Sequence, residues 1–161
     1  MPGMSSLANE ADHEPESESV YKKILIALEN SPADETILPH VAELAQRFGS
    51  NLLLLHVADG WAARNFNKLE LAESEEMKDD RAYLEKVAGR LRRDGLSVES
   101  LLALGDPPVE ILKAAEGEHC DLIAMTGHGH RLFGDIFYGS TITQVRHKTS
   151  IPILVVRAPK K

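Results

Sequence analysis

The sequence predicts an α/β fold: an open five-stranded parallel sheet with helices on both faces. Three observations carry this. Short apolar runs of buried-strand type alternate five times with segments of helical period. No pair of runs is joined by a hairpin signal, so the connections read as crossovers between parallel strands. The chain has 161 residues, 43% of them apolar, which suits one domain with a sizeable core.

Residues 1–20 are polar and acidic, too poor in apolar groups to offset the entropy of ordering. They read as a disordered acidic leader, and the folded domain is expected over residues 21–158. Lys22 to Leu28 (KKILIAL) is the first strand. Ser31, Pro32 and Asp34 then signal a helix start. Ile37, Leu38, Val41, Leu44, Ala45 and Phe48 share one face of that helix, and Gly49 closes it. Pro39 sits early in it and implies a late start or a kink. Asn51 to Val57 (NLLLLHV) is the second strand. A polar connection containing Trp61 and Phe66, read as loop aromatics at the surface, leads into a helix that runs to Arg93. Its apolar positions are Ala82, Leu84, Val87, Ala88 and Leu91, and Asp94-Gly95 stops it. Ser97 to Leu104 is a third strand, amphipathic at its start and therefore nearer an edge. The stretch GDPPVEIL supplies a turn and prolines at the entry of a short third helix. Cys120 to Met125 is the fourth strand, a fourth helix is expected from about Tyr138 to Lys148, and Ile151 to Arg157 (IPILVVR) is the fifth strand.

Composition narrows the function. A formal charge of -7 argues against a binder of nucleic-acid backbones, which needs concentrated Lys and Arg. No run approaches the roughly 20 apolar residues of a membrane span, and the N-terminus lacks the apolar centre of a secretory signal. The single cysteine, Cys120, cannot form an internal disulfide and reads as a buried thiol. No membrane, no nucleic acid and a cytoplasmic location are the expectations.

The most unusual stretch is TGHGHRLFGDIFYGST, Thr126 to Thr141, with four glycines and two histidines after the fourth strand. Glycine loses more entropy on ordering than any other residue, so such a cluster serves a turn, a tight contact or a ligand. In open parallel sheets ligands sit at the carboxyl ends of the strands, where the winding reverses. Gly139-Ser140-Thr141 lies where a helix is expected to begin. Amides at a helix N-terminus favour an anion, and a glycine there admits phosphate oxygens.

With these residues the chain resembles the universal stress proteins. Gly129, nine residues, then Gly139-Ser140 fits the glycine signature of their ATP-binding members. KKILIAL ending in an acidic residue, LLLLHV, ALGDPPVEIL and IPILVV extend the likeness from Tyr21 to Arg157. Two positions depart from the pattern: Thr126, followed by Gly127, stands for the first glycine, and Glu29 for the usual aspartate. The resemblance implies a Rossmann-like fold binding ATP or another adenine nucleotide, with magnesium as a companion ion. It implies that Ala27, Leu28 and Glu29 line adenine and ribose and that Val57 packs on the adenine. Met125, Thr126 and Gly129 would frame the sugar and first phosphate, and Gly139, Ser140 and Thr141 would hold the distal phosphates. His130 would add charge when protonated. A stress-response sensor or regulator is implied.

Other chemistries are weaker. His128 and His130 raise a metal site, but they lie in a glycine loop and need a third ligand, for which Glu29 is the obvious donor. The His-x-Gly-His signature of nucleotidylyltransferases differs in spacing and follows the first strand, and no Gly-Lys-Ser or Gly-Lys-Thr of a Walker loop occurs. Hydrolysis of ATP, if any, is expected to be slow, because no lysine, arginine finger or general base is evident at the loop. His56 reads as a packed core residue, and His147 as a cation near a helix C-terminus. The last strand, Ile151 to Arg157, is apolar on both faces and lies at a sheet edge, which predicts a homodimer through it. An unidentified regulatory protein is the other partner class, and the rival reading is a dimeric interaction module of the same fold without nucleotide.

Overall fold

A computed structural model describes residues 18–59, 75–128 and 136–159. Five strands and four helices alternate along them: β1 (Lys23–Leu28), α1 (Asp34–Phe48), β2 (Asn51–Ala58), α2 (Glu75–Arg93), β3 (Val98–Leu104), α3 (Pro107–Gly117), β4 (Leu122–Gly127), α4 (Ile136–Lys148) and β5 (Ile153–Arg157). The strands form one all-parallel sheet in the order β3-β2-β1-β4-β5. β3 and β5 are its edges, and the winding reverses between β1 and β4.

The apolar runs bury on both faces because β1, β2 and β4 have helices above and below. On one side Ile24, Ile26, Leu52 and Leu54 meet Ile37 and Val41 of α1 and Leu84 and Ala88 of α2. On the other, Leu25, Leu53, Leu55 and Ile123 meet Ile111 and Ala115 of α3 and Val145 of α4. Each fully buried leucine or isoleucine contributes about 1.5–3 kcal/mol of transfer free energy. Among the described residues no helix is long and apolar enough to cross a membrane.

The differences from the sequence expectation are local. Helix α1 starts at Asp34 and runs through Pro39 without a late start. Pro39 and Glu35 both face solvent, so water can meet the carbonyl that loses its helical donor. Gly49 closes the helix in the left-handed conformation, φ 67°, where a side chain is disfavoured. Phe48 is not in the core; it is 42% exposed, its ring standing edge-on to Tyr21 at 5.5 Å. Strand β4 ends two residues later than expected, because Thr126 and Gly127 pair with Val156 and Arg157. Cys120 precedes that strand, its amide bonded to the Ala115 carbonyl at 2.8 Å. Helix α4 starts at Ile136, ahead of Tyr138. Trp61, Phe66, Gly129, His130 and residues 1–17 lie outside the described residues.

Candidate functional site

A cleft of about 680 Å³ opens at the carboxyl edge of the sheet, beside the reversal of winding. That is where an open α/β sheet offers loops from two directions to one ligand. Glu29 and Asn30 enter it from the end of β1, and His56, Val57, Ala58 and Asp59 from the end of β2. The first turns of α2 add Glu76, Asp79 and Asp80, α3 adds Pro107 and α4 adds Thr141.

The turn that carries Glu29 is held from below by Asp34. This carboxylate is fully buried and accepts the Glu29 amide at 2.9 Å, the Ser31 amide at 3.3 Å and the Tyr83 hydroxyl of α2 at 2.6 Å. Burial first, then the bond to Asp34, pushes the Tyr83 phenol well above its ordinary range, so it remains a donor. Asn30, next in the turn, has a positive φ of 56° and donates its side-chain amide to Asp80 at 2.8 Å.

Two histidine–carboxylate pairs stand in the site. His128, just past β4, places Nε2 at 2.8 and 2.7 Å from the two oxygens of Glu29, with side-chain exposures of 13% and 7%. His56 is buried, with Nδ1 at 2.8 Å from the Leu28 carbonyl and Nε2 at 3.3 Å from Asp80. A carbonyl oxygen only accepts, so Nδ1 of His56 carries a proton. His56 therefore joins the ends of β1, β2 and α2, a more polar role than core packing.

Burial raises the Glu29 carboxyl above its ordinary value; the bond and charge of His128 oppose this, and the nearby Asp34 charge adds to it. A carboxyl whose folded pKa is raised binds its proton more tightly in the fold. Its favourable contribution is complete below the ordinary value of 4.5 and is lost as pH rises through the raised one. At neutral pH the ionised side chain therefore works against folding. Glu29→Gln is expected to melt at a higher temperature than wild type at pH 7, the gain vanishing below about pH 4. Calorimetry at both pH values checks this, and an equal or lower melting point at pH 7 would contradict it.

Of the residues singled out from sequence, the cleft brings together Glu29, Val57 and Thr141. Ala27, Leu28 and Met125 are buried in the sheet beneath it, and Ser140 is exposed beside Thr141. Thr126 is buried, and its hydroxyl has no hydrogen-bond partner among the described residues. At Gly127 an added Cβ would lie 3.0 Å from Cγ1 of Val155, so this glycine lets β5 pack closely. Gly139 lies in the first turn of α4. Among the described residues no three His, Cys, Asp or Glu side chains group as metal ligands. Burial pushes the Cys120 thiol up to about 11, away from nucleophilic use. Sequence reasoning did not single out His56, Asp80 or Asn30 as site residues. The polar His56 within the apolar run of β2 was the available signal.

Comparison with known proteins places this architecture. Universal stress protein MJ0577 of Methanocaldococcus jannaschii is 31% identical over 158 residues, spanning 86% of this chain and 96% of that protein. The solved structure of MJ0577 is similar with a TM-score of 0.70 at 30% identity, covering 88% of this chain and 99% of that one. A universal stress protein from Archaeoglobus fulgidus in complex with dAMP shares the fold at 21% identity, TM-score 0.64, over 85% of this chain and 98% of its own. Another, in complex with cAMP, shares it at 15% identity, TM-score 0.63, over 85% and 97%. The universal stress protein family model matches residues 20–157, so the strands, the reversal of winding and the cleft all lie within the match, and the chain belongs to the universal stress protein family.

Proposed function

We propose that this protein binds an adenine nucleotide in the carboxyl-edge cleft and acts as a cytoplasmic stress-response sensor or regulator, with ATP and magnesium as the expected ligand. The observation that carries the reading is the placement of Glu29. Its carboxylate stands at the end of β1, beside the reversal of winding, in a cleft that also presents Val57 and Thr141. Ribose hydroxyls would donate to Glu29, the base would lie against Val57, and the phosphates would run toward α4. Only the first four amides of a helix lack helical partners. Gly139 is the fourth residue of α4, so the hydroxyls of Ser140 and Thr141 complete the phosphate end. The dAMP and cAMP complexes of proteins with this fold support a ligand of this class. The described lining holds Asp59, Glu76, Asp79 and Asp80 and no Lys or Arg, which supports a divalent cation accompanying the phosphates.

ATP with magnesium at about 100 times its dissociation constant should add roughly 2.7 kcal/mol of stability, a rise of about 5–10 °C in melting temperature. No shift with millimolar ATP and magnesium or with AMP would favour the rival, an interaction module without nucleotide. Gly139→Val puts a branched side chain where phosphate approaches, while valine is no worse than glycine as a helix residue. Affinity should fall about ten-fold or more with the fold intact. Equal affinity in the two folded proteins would place the ligand elsewhere. The reading also includes a homodimer through β5 and an unidentified regulatory protein that receives the output.

A further inference from the structure

We propose that His128 is a positioning residue for the cleft, holding the Glu29 carboxylate in its binding orientation. This rests on the nucleotide reading above. A glutamate at a strand end has several rotamers, and among the described residues the shortest bonds to the one seen here come from one nitrogen. Nε2 of His128 lies within 2.8 Å of both carboxylate oxygens, while Ser31 donates to one of them at 3.3 Å. Oε1 is thereby left with room for another donor, and Glu29 faces the cleft. Because a carboxylate accepts there, Nε2 carries a proton in the neutral and the charged ring alike.

That bond matters because of its surroundings. Asp34 of α1 lies under the pair, and Asp59, Glu76, Asp79 and Asp80 line the same cleft, with His56 shared to Asp80. A Glu29 carboxylate released from His128 would be repelled by these carboxylates and drawn from its place at the end of β1. A buried ion pair seldom stabilises a fold over an apolar replacement, and the burial of Glu29 outweighs what His128 returns to it. A pair kept at such cost in a cleft is a functional arrangement.

The test is calorimetric titration of wild type, His128→Ala and His128→Gln with AMP and with ATP plus magnesium at about pH 7. Glutamine can donate to Glu29 as histidine does. His128→Ala should lose about ten-fold in affinity, and His128→Gln should recover part of it. Melting curves of each variant separate a folding defect from a binding one. Wild-type binding matched by His128→Ala, or no recovery in a folded His128→Gln, would overturn the positioning role alone. No binding of either nucleotide by folded wild type would sink the nucleotide reading and this role with it.

Discussion

Asp34→Ala is expected to cost about 3 kcal/mol or more, a fall of roughly 6–12 °C in melting temperature for a chain of this length. The substitution removes a fully buried carboxylate that serves the Glu29 and Ser31 amides and the Tyr83 hydroxyl. Alanine offers none of the three an acceptor, and the position it would fill has zero exposure. Each buried donor left unmet costs about 1–3 kcal/mol. The carboxylate also sits in the first turn of α1, where a negative charge is favourable. Tyr83→Phe removes one donor and leaves the carboxylate two amides, so about 1.5 kcal/mol is expected. Asp34→Asn should fall between, because its carbonyl accepts while its NH2 opposes donors. Urea denaturation of the three variants gives the order. An Asp34→Ala protein within about 1 kcal/mol of wild type would mean that the turn re-forms its bonds elsewhere.

Asp34 also shows where sequence reading stops. Its residue type, beside Ser31 and Pro32, marks a helix start, and the helix begins there. Nothing in the spacing says that the same side chain reaches back to the end of β1 and across to Tyr83, 49 residues on. Strands and helices were legible because burial on both faces demands near-continuous apolar runs, and that periodicity is local. The sheet order was legible only as a reversal somewhere. The cleft was legible in part through Glu29, Val57 and Thr141, which end or begin elements. Its polar partners were not: His56 with Asp80, and His128 with Glu29, are 24 and 99 residues apart and meet only once β1, β2 and β4 are side by side. The glycines divide in the same way. Gly127 has a packing reason, the closeness of Val155, that a one-dimensional signature attributes equally well to a ligand.

The second large effect concerns the edge strand β5. A homodimer through it predicts that Val155→Pro turns a dimer into a folded monomer. The direction of each amide follows from the parallel ladder. Ile123 donates to the Pro152 carbonyl and Ala158 to the Gly127 carbonyl. Groups facing one neighbour recur every second residue, so Leu154 and Val156 also turn their amides to β4. Ile153, Val155 and Arg157 turn theirs outward, where a second copy would meet them. Val155 is 44% exposed as well, a large apolar side chain on an open edge with only Arg157 to charge it. Two such edges related by a two-fold axis satisfy each other's amides and close the assembly. Proline at Val155 removes an outward donor, the one location in a strand where proline is tolerated. Proline at Leu154 would instead break the bond to β4 and should lower the melting temperature without selecting the monomer. Sedimentation at tens of micromolar should show wild type at twice 17.7 kDa and Val155→Pro at 17.7 kDa. A monomeric wild type would dispose of the dimer, and a Val155→Pro variant that stays dimeric would move the interface to another surface.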